Sequence, residues 1–394
     1  MGDLTRFYIS IFSMVSFFGM AGGALLGPVL PIMVEPLNAT REAVGWVMAI
    51  YTLSTAVFML YFGTITDSIG RKKILVPCLL INGIAGFACY LAPNLGILLI
   101  LRFIQGIGIA GMIPIAMTMI GELYDEVDRI HAMGRISVTT SIGAISAPFI
   151  GGSMALVSWN YPFLFYMLTI PLAVLACYIL PETNIEPQEK KITFKRMFSV
   201  LRNINVFYVM FLCFMSFFLL YTIVIYVPFI LIEKFNFTSM GAGIAIGLQG
   251  ISMIIVASKA KKLALAYSFT KIILFGFLFI SIAIFGIGIL PELYMIYFFL
   301  LMFGVGFGMT QPLLSASITV VAPSNMMGST VLIYNTMKYA GQTASPAVFG
   351  VILAAINFSG VFLVSSILGL CVVISALYMR KDLVGLDGNS TKNM

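Results

Sequence analysis

Two cations stand where charge is disfavoured. Arg102, in LRFIQGIG, and Lys338, in YNTMKYAGQ, both lie inside long apolar stretches of a 394-residue chain. A charge held in hydrocarbon costs on the order of 3 kcal/mol on insertion scales, so each needs a partner, a ligand or a water-filled cavity. Lys338 is positioned to exchange a proton or hold an anionic group unless it snorkels to a membrane surface. Arg102 stays charged at any working pH and can only position or bias its neighbours. Tyr334, Asn335, Tyr339 and Gln342 surround Lys338 at helical spacing, a polar stripe that lipid would leave unused. Asn82, Gln105, Gln249 and Gln311 add amides inside apolar stretches, as cavity groups or as interhelical hydrogen-bond partners. All 15 acidic residues fall in loops or at the ends of stretches; Glu35 and Glu233 are the carboxylates expected to serve Arg102 or to carry a proton. No nucleophile constellation, acid and base pair or metal cluster lies within the stretches, so neither an enzyme nor a cofactor is expected.

The elements that must hold these residues are membrane-spanning helices. Hydrophobic residues make up 60% of the chain and charged residues 9%, with a mean hydropathy of +1.06, whereas soluble domains carry roughly a quarter charged residues. Twelve apolar runs have the length that crosses hydrocarbon: residues 7–34, 43–66, 74–92, 95–120, 136–157 and 162–180, then 206–232, 239–258, 271–290, 294–320, 329–356 and 359–379. With the amino terminus inside, 18 of the 22 Lys and Arg fall in cytoplasmic segments, and only Arg41 and Lys234 fall outside. That asymmetry places both termini in the cytoplasm of a multi-pass protein of the cell membrane. The net charge of +7 is then explained by loops facing anionic lipid headgroups, not by nucleic acid. Cys78, Cys89, Cys177, Cys213 and Cys371 sit unpaired within apolar runs and read as small buried hydrophobes.

The halves echo one another. Pro28 matches Pro228, and Gly106 and Gly108 match Gly306 and Gly308, at an offset of 200; Gly143, Pro148 and Gly152 match Gly341, Pro346 and Gly350 at 198. A duplicated six-helix unit follows. Its expected divisions are an amino-terminal bundle (1–180), a cytoplasmic linker (181–205) with a short surface helix, and a carboxy-terminal bundle with a tail (206–394). One such chain is expected to work as a monomer.

Between the second and third runs stands Gly63-x-x-x-Asp67-x-x-Gly70-Arg71-Lys72-Lys73, which resembles the signature of the major facilitator superfamily. Leu101 to Gly108 resembles the intramembrane arginine motif of proton-coupled members. Gly134, Gly143, Pro148, Gly151 and Gly152 are spaced like the motif of drug:proton antiporters, with Ala147 where that family usually has glycine. Pro28-Val29-Leu30-Pro31 is similar to a motif of twelve-helix drug exporters. The resemblance implies an all-α membrane protein, two pseudo-symmetric six-helix bundles in the major facilitator fold, exporting a small amphipathic or drug-like compound in exchange for protons by alternating access. The lack of a core carboxylate turns the expectation from cationic drugs toward anionic, zwitterionic or neutral substrates. Uptake or facilitated diffusion of an organic anion, and a transceptor that no longer transports, stand as alternatives.

The same resemblance makes Asp67 and Arg71 a cytoplasmic latch, with Arg71 pairing Glu122 or Asp125. Gly143, Ala147 and Gly151 recur every four residues and line one helix face on which a neighbouring backbone can approach closely. Pro148 bends that helix, and a tight, bent contact between the halves is expected to gate.

Overall fold

The computed structural model describes residues 3–183, 197–290, 292–323 and 326–378, and among these there is no strand. Twelve helical spans stand where the apolar runs predict them. They are α1 (Asp3–Ala24), α2 (Arg41–Ile69), α3 (Arg71–Tyr90), α4 (Leu95–Leu123), α5 (Glu126–Met154) and α6 (Thr169–Ile179), then α7 (Ile204–Phe229), α8 (Ser239–Ala257), α9 (Phe269–Ile289), α10 (Leu293–Val321), α11 (Met327–Ala355) and α12 (Phe358–Tyr378).

Local chemistry sets the ends. Thr40, Asn94 and Asn203 sit one residue before α2, α4 and α7, and their side-chain oxygens accept from Ala43 N, Ile97 N and Val206 N, satisfying amides the helix leaves open. Proline breaks the two spans that are not single helices. Pro28 and Pro31 open short turns at Gly27–Val29 and Leu30–Met33 after α1, and Pro162 opens a 3-10 segment, Tyr161–Leu168, before α6.

Ten of the spans are long and apolar enough to cross a membrane. The others are α5 and α11, each 29 residues. Their length suffices, but α5 carries Asp128, Arg129, His131 and Arg135 in its first turns, and α11 carries Lys338 amid hydroxyls and amides.

The chain forms two compact units, Met1–Ile192 with Leu231–Ile244, and Thr193–Ile230 with Ala245–Met394. In the first, α1 packs on α5, and α4 packs on both α2 and α3; in the second, α7 packs on α11, and α9 packs on both α10 and α12. The two units repeat their close contacts. A Cβ added to Gly108 would lie 2.6 Å from the Cys78 carbonyl oxygen, and one on Gly306 would lie 2.5 Å from that of Gly276. Gly106 meets the Tyr51 carbonyl, and Gly304 the Gln249 carbonyl, in the same way. Ser54 Oγ donates to Phe103 O (2.6 Å), and Ser252 Oγ to Leu301 O (3.0 Å). Every one of these pairs is offset by 198, so Gly106 and Gly108 correspond to Gly304 and Gly306, not to Gly306 and Gly308. The G-x-G-x-G run at residues 304–308 had allowed the slip of two.

Three further expectations are corrected. A short helix, Ala260–Tyr267, occupies what reads as a basic loop between α8 and α9. His131, expected in a loop, lies within α5. Cys177 and Cys371 are exposed on their helices, while Cys78, Cys89 and Cys213 are buried. Residues 184–196, most of the expected linker, lie outside the described residues, as does the tail from residue 379.

Candidate transport site

In the first unit Arg102 is wholly buried and ends a hydrogen-bonded chain across four spans. Its Nε donates to Val47 O on α2 (3.1 Å) and its Nη1 to Gln105 Oε1 one turn on (2.6 Å). Gln105 Nε2 donates to Asn82 Oδ1 on α3 (3.2 Å), Asn82 Nδ2 to Thr169 Oγ1 on α6 (3.3 Å), and Thr169 Oγ1 to Leu79 O (2.9 Å). The guanidinium lies 3.9 Å from the Tyr51 ring centroid and 5.9 Å from that of Tyr166, whose hydroxyl donates to Gly22 O on α1 (3.0 Å). Carbonyl dipoles, an amide and two π faces thus take the place of a counter-ion. No recorded partner of Arg102 is a carboxylate among the described residues, and its Nη2 is buried without a hydrogen bond.

The carboxylates expected beside Arg102 are elsewhere. Arg41 Nε donates to Glu233 Oε1 at 2.8 Å, and Glu35 and Glu42 line the same open cavity of about 610 Å³ with Pro31 and Thr40. These residues all belong to the first unit. Two other acidic residues shape its opposite end. Arg71 donates through Nε (3.1 Å) and Nη2 (2.9 Å) to Glu122 Oε1, so Glu122, one of the two expected acids, is a partner. Gly70 takes φ +110 at the start of α3, and Glu182, just past α6, accepts from Lys72 N at 3.1 Å. A carboxylate at that terminus meets both unpaired amides and the positive end of the helix dipole. Lys72 therefore acts here through its amide. The side chain of Asp67 lies outside the described residues, and Gly63 lies within α2.

In the second unit Lys338 is half-buried, with Nζ 4.9 Å from the Tyr334 ring centroid and 5.9 Å from that of Phe217 on α7. It forms no recorded ion pair or hydrogen bond among the described residues. Tyr334 Oη is within 3.2 Å of Ser315 Oγ on α10, and Tyr334 O accepts from Cys213 Sγ on α7 at 3.8 Å. One turn before Ser315, the Nε2 of Gln311 is buried with no hydrogen bond. Gln342 is buried, Asn335 donates back to Val331 O (3.1 Å), and the Oε1 of Gln249 on α8 is buried and unpaired.

The sequence profile of the Major Facilitator Superfamily matches residues 12–346. The chain belongs to that superfamily. It is 28% identical over 381 residues to the bacillibactin exporter of Bacillus subtilis strain 168, covering 92% of this chain and 94% of that protein. It is 30% identical over 189 residues to multidrug resistance protein 1 of the same organism, covering 46% and 49%. A bacterial homolog of the human lysosomal transporter Spinster, crystallised inward-facing and unoccupied, has a TM-score of 0.77 at 14% identity, covering 98% of this chain and 97% of that one. The last likeness shows the fold. This superfamily member is a multi-pass membrane transporter of small molecules and not an enzyme.

Within the superfamily fold, the glycine face of α5 is turned to α1. Gly143 approaches the Phe17 carbonyl, where an added Cβ would lie 2.8 Å away, and Gly151 lies so close to Leu25 that a Cβ would overlap its carbonyl oxygen. Ala147 between them is wholly buried. The expected contact between halves is, at these positions, a contact within one bundle. Gly152 and Pro148 meet Ser239 and Gly243 at the start of α8, where Ser239 Oγ donates to Gly152 O (2.8 Å), in the segment that clusters with the first unit. Gly134 has no atom within 4 Å of an added Cβ and so makes no close approach. Sequence reasoning missed Glu182, Ser315, Phe217 and Tyr166; Glu182 had a readable signal, an acid next to the end of an apolar run.

Proposed function

We propose that the chain exports a small amphipathic compound bearing an anionic or neutral group from the cytoplasm, coupled to protons and by alternating access, as a monomer of the cell membrane with both termini cytoplasmic. The observation that carries the anionic preference is the ammonium of Lys338, flanked by two aromatic rings and lacking any recorded acidic partner among the described residues. Gln311 Nε2 on α10 is a free donor on the face that also presents Ser315. Cation, donor and aromatic faces together suit a carboxylate or phenolate borne on a flat apolar body. The 28% identity with a bacillibactin exporter over nearly the whole chain supports export as the direction.

In this reading Arg102, Gln105 and Asn82 hold the first bundle together and do not touch substrate. Protonation of Lys338 and binding of an anion reinforce each other, so exchange against protons requires a separate proton site. We assign that role to Glu35, with Glu42 and Glu233 alongside it in the rim cavity. The latch formed by Arg71 and Glu122 stabilises one of the two access states.

The test is a proteoliposome carrying a lumenal pH dye, challenged with bacillibactin and, separately, with a cationic drug. Proton movement on adding the first and not the second, lost in Lys338→Ala, is the expected result. Equal responses in wild type and Lys338→Ala would return Lys338 to a packing role. Thermal shifts with cationic, neutral and anionic compounds provide the binding half of the same comparison.

A further inference from the structure

In the first unit α3 and α6 pack antiparallel in one register. A Cβ added to Gly86 would meet Tyr166, and one on Gly83 would lie 2.9 Å from Thr169 Oγ1. Thirteen residues back from Gly83 is Gly70, and thirteen on from Thr169 is Glu182. The register holds over that distance, because Lys72 N donates to Glu182 Oε1 (3.1 Å) and a Cβ on Gly70 would lie 2.7 Å from the same oxygen. The carboxylate just past α6 thus caps the start of α3, where open amides and the helix dipole both favour an anion.

The second unit repeats this register on α9 and α12. A Cβ on Gly288 would lie 2.8 Å from Phe362 Cβ, and one on Gly369 would meet Ser281 Oγ. Seven residues back along α9 are therefore matched by seven on along α12, and Ser281 corresponds to Gly83 at the offset of 198. Thirteen residues back from Ser281 is Ser268, and thirteen on from Gly369 is Asp382.

The start of α9 is also shaped like that of α3. Four described residues have positive φ, and they pair at the same offset: Asn38 (φ 46) with Asn236 (φ 53), and Gly70 (φ 110) with Ser268 (φ 75). Ser268 keeps a conformation that serine, unlike glycine, rarely adopts. Thr270, the counterpart of Lys72, has no recorded acceptor for its amide among the described residues, and its hydroxyl is buried without a hydrogen bond. In the first unit an acid three residues past α6 fills this place. Asp382 stands four residues past α12 and lies outside the described residues.

We propose that the Asp382 carboxylate caps α9 as Glu182 caps α3, accepting from the Thr270 amide and hydroxyl and so clasping the carboxy-terminal tail to the start of α9. The clasp ties α12 to α9 at one end of the second bundle. It does not rest on the transport reading, since neither Lys338 nor the rim carboxylates enter it. Asp387, the next acid in the tail, is five residues out of register and serves as the control.

Two measurements on the purified full chain test the clasp. Hydrogen exchange of the amides of Phe269 to Lys271 is followed in wild type, Asp382→Asn and Asp387→Asn. Exchange about tenfold faster in Asp382→Asn alone is expected, the size that loss of one charge-assisted hydrogen bond implies. Both variants remove one negative charge, so a difference between them is not an effect of net charge. In the second measurement the exposed Cys177 and Cys371 are first replaced by serine. Ser268→Cys is then combined with Asp382→Cys or with Asp387→Cys and oxidised. The first pair is expected to form a disulfide in preference to the second, since the bond needs Cα atoms within about 7 Å. Unchanged exchange in Asp382→Asn, an equal effect of Asp387→Asn, or equal cross-linking of the two pairs overturns the proposal.

Discussion

Two glycines of one sequence motif are expected to respond to alanine with opposite signs. At Gly151 the methyl would overlap the Leu25 carbonyl oxygen, whereas at Gly134 it would meet nothing within 4 Å. Both positions lie inside α5, so both gain the same intrinsic preference of alanine over glycine, about 1 kcal/mol. Gly134→Ala keeps that gain. Gly151→Ala must also push α1 and α5 apart against a backbone carbonyl, which no rotamer change can relieve, and overpacking of this kind costs about 1–3 kcal/mol or more. The shared propensity gain cancels between the two variants, which should therefore differ by the overpacking cost alone, about 1–3 kcal/mol. At about 2–4 °C for each kcal/mol in a unit of this size, their melting temperatures should be separated by roughly 2–12 °C, with wild type between them where that cost exceeds the propensity gain. The assay is thermal unfolding of purified protein in one detergent, followed by the fluorescence of a thiol-reactive dye on the buried cysteines Cys78 and Cys89. Identical shifts for the two variants, or a more stable Gly151→Ala, would refute the close packing of α1 on α5. Gly143→Ala, with its methyl 2.8 Å from the Phe17 carbonyl oxygen, should fall between the two.

Other variants address the remaining contacts. Gln105→Leu strips Arg102 Nη1 and Asn82 Oδ1 of their recorded partner at once, and should lower stability by about 1–3 kcal/mol for each group left unpaired, read as a lower melting temperature and folded yield. Gly70→Ala should cost about 1–2 kcal/mol from its φ of +110 alone, and because the methyl would lie 2.7 Å from Glu182 Oε1 it should also make Glu182→Gln nearly silent in a double-mutant cycle. For Arg71 and Glu122, whose side chains are 11% and 30% exposed, a cycle of Arg71→Gln and Glu122→Gln should give a coupling of about 1 kcal/mol, reduced by screening at the exposed carboxylate; additive effects would remove the pair.

The spans were legible because membrane crossing demands length and apolarity, both local properties. All twelve helices stand on the expected runs, and Pro28, Pro31 and Pro162 mark the two that are interrupted. The short helix Ala260–Tyr267 escaped because eight residues with two lysines carry too little apolar pattern to set against a basic loop. Contacts across the bundle were less legible. Glu122 was reachable from its place at the end of α4, but the relay from Arg102 through Asn82 to Thr169 joins residues up to 87 apart in sequence, and nothing local selects that pairing. The glycine spacing in α5 correctly announced a close backbone approach, yet spacing alone does not name the neighbour, and α1 occupies the face expected to meet the other half. The repeat offset failed for a similar reason, since three alternating glycines in α10 offer two registers that only packing resolves.

The 198-residue correspondence has one more consequence. Where the first copy has Arg102, Gln105 and Asn82, the second has Leu300, Phe303 and Ile280, and opposite Lys338 the first has only Thr140. The glycine contacts beneath these positions are the same in both copies. A shared skeleton has thus been furnished twice with different interiors, one a rigid polar seam and one greasy with a solitary ammonium. On the function proposed above, where Lys338 and Gln311 meet substrate, a swap at either leaves the seam of the earlier copy undisturbed.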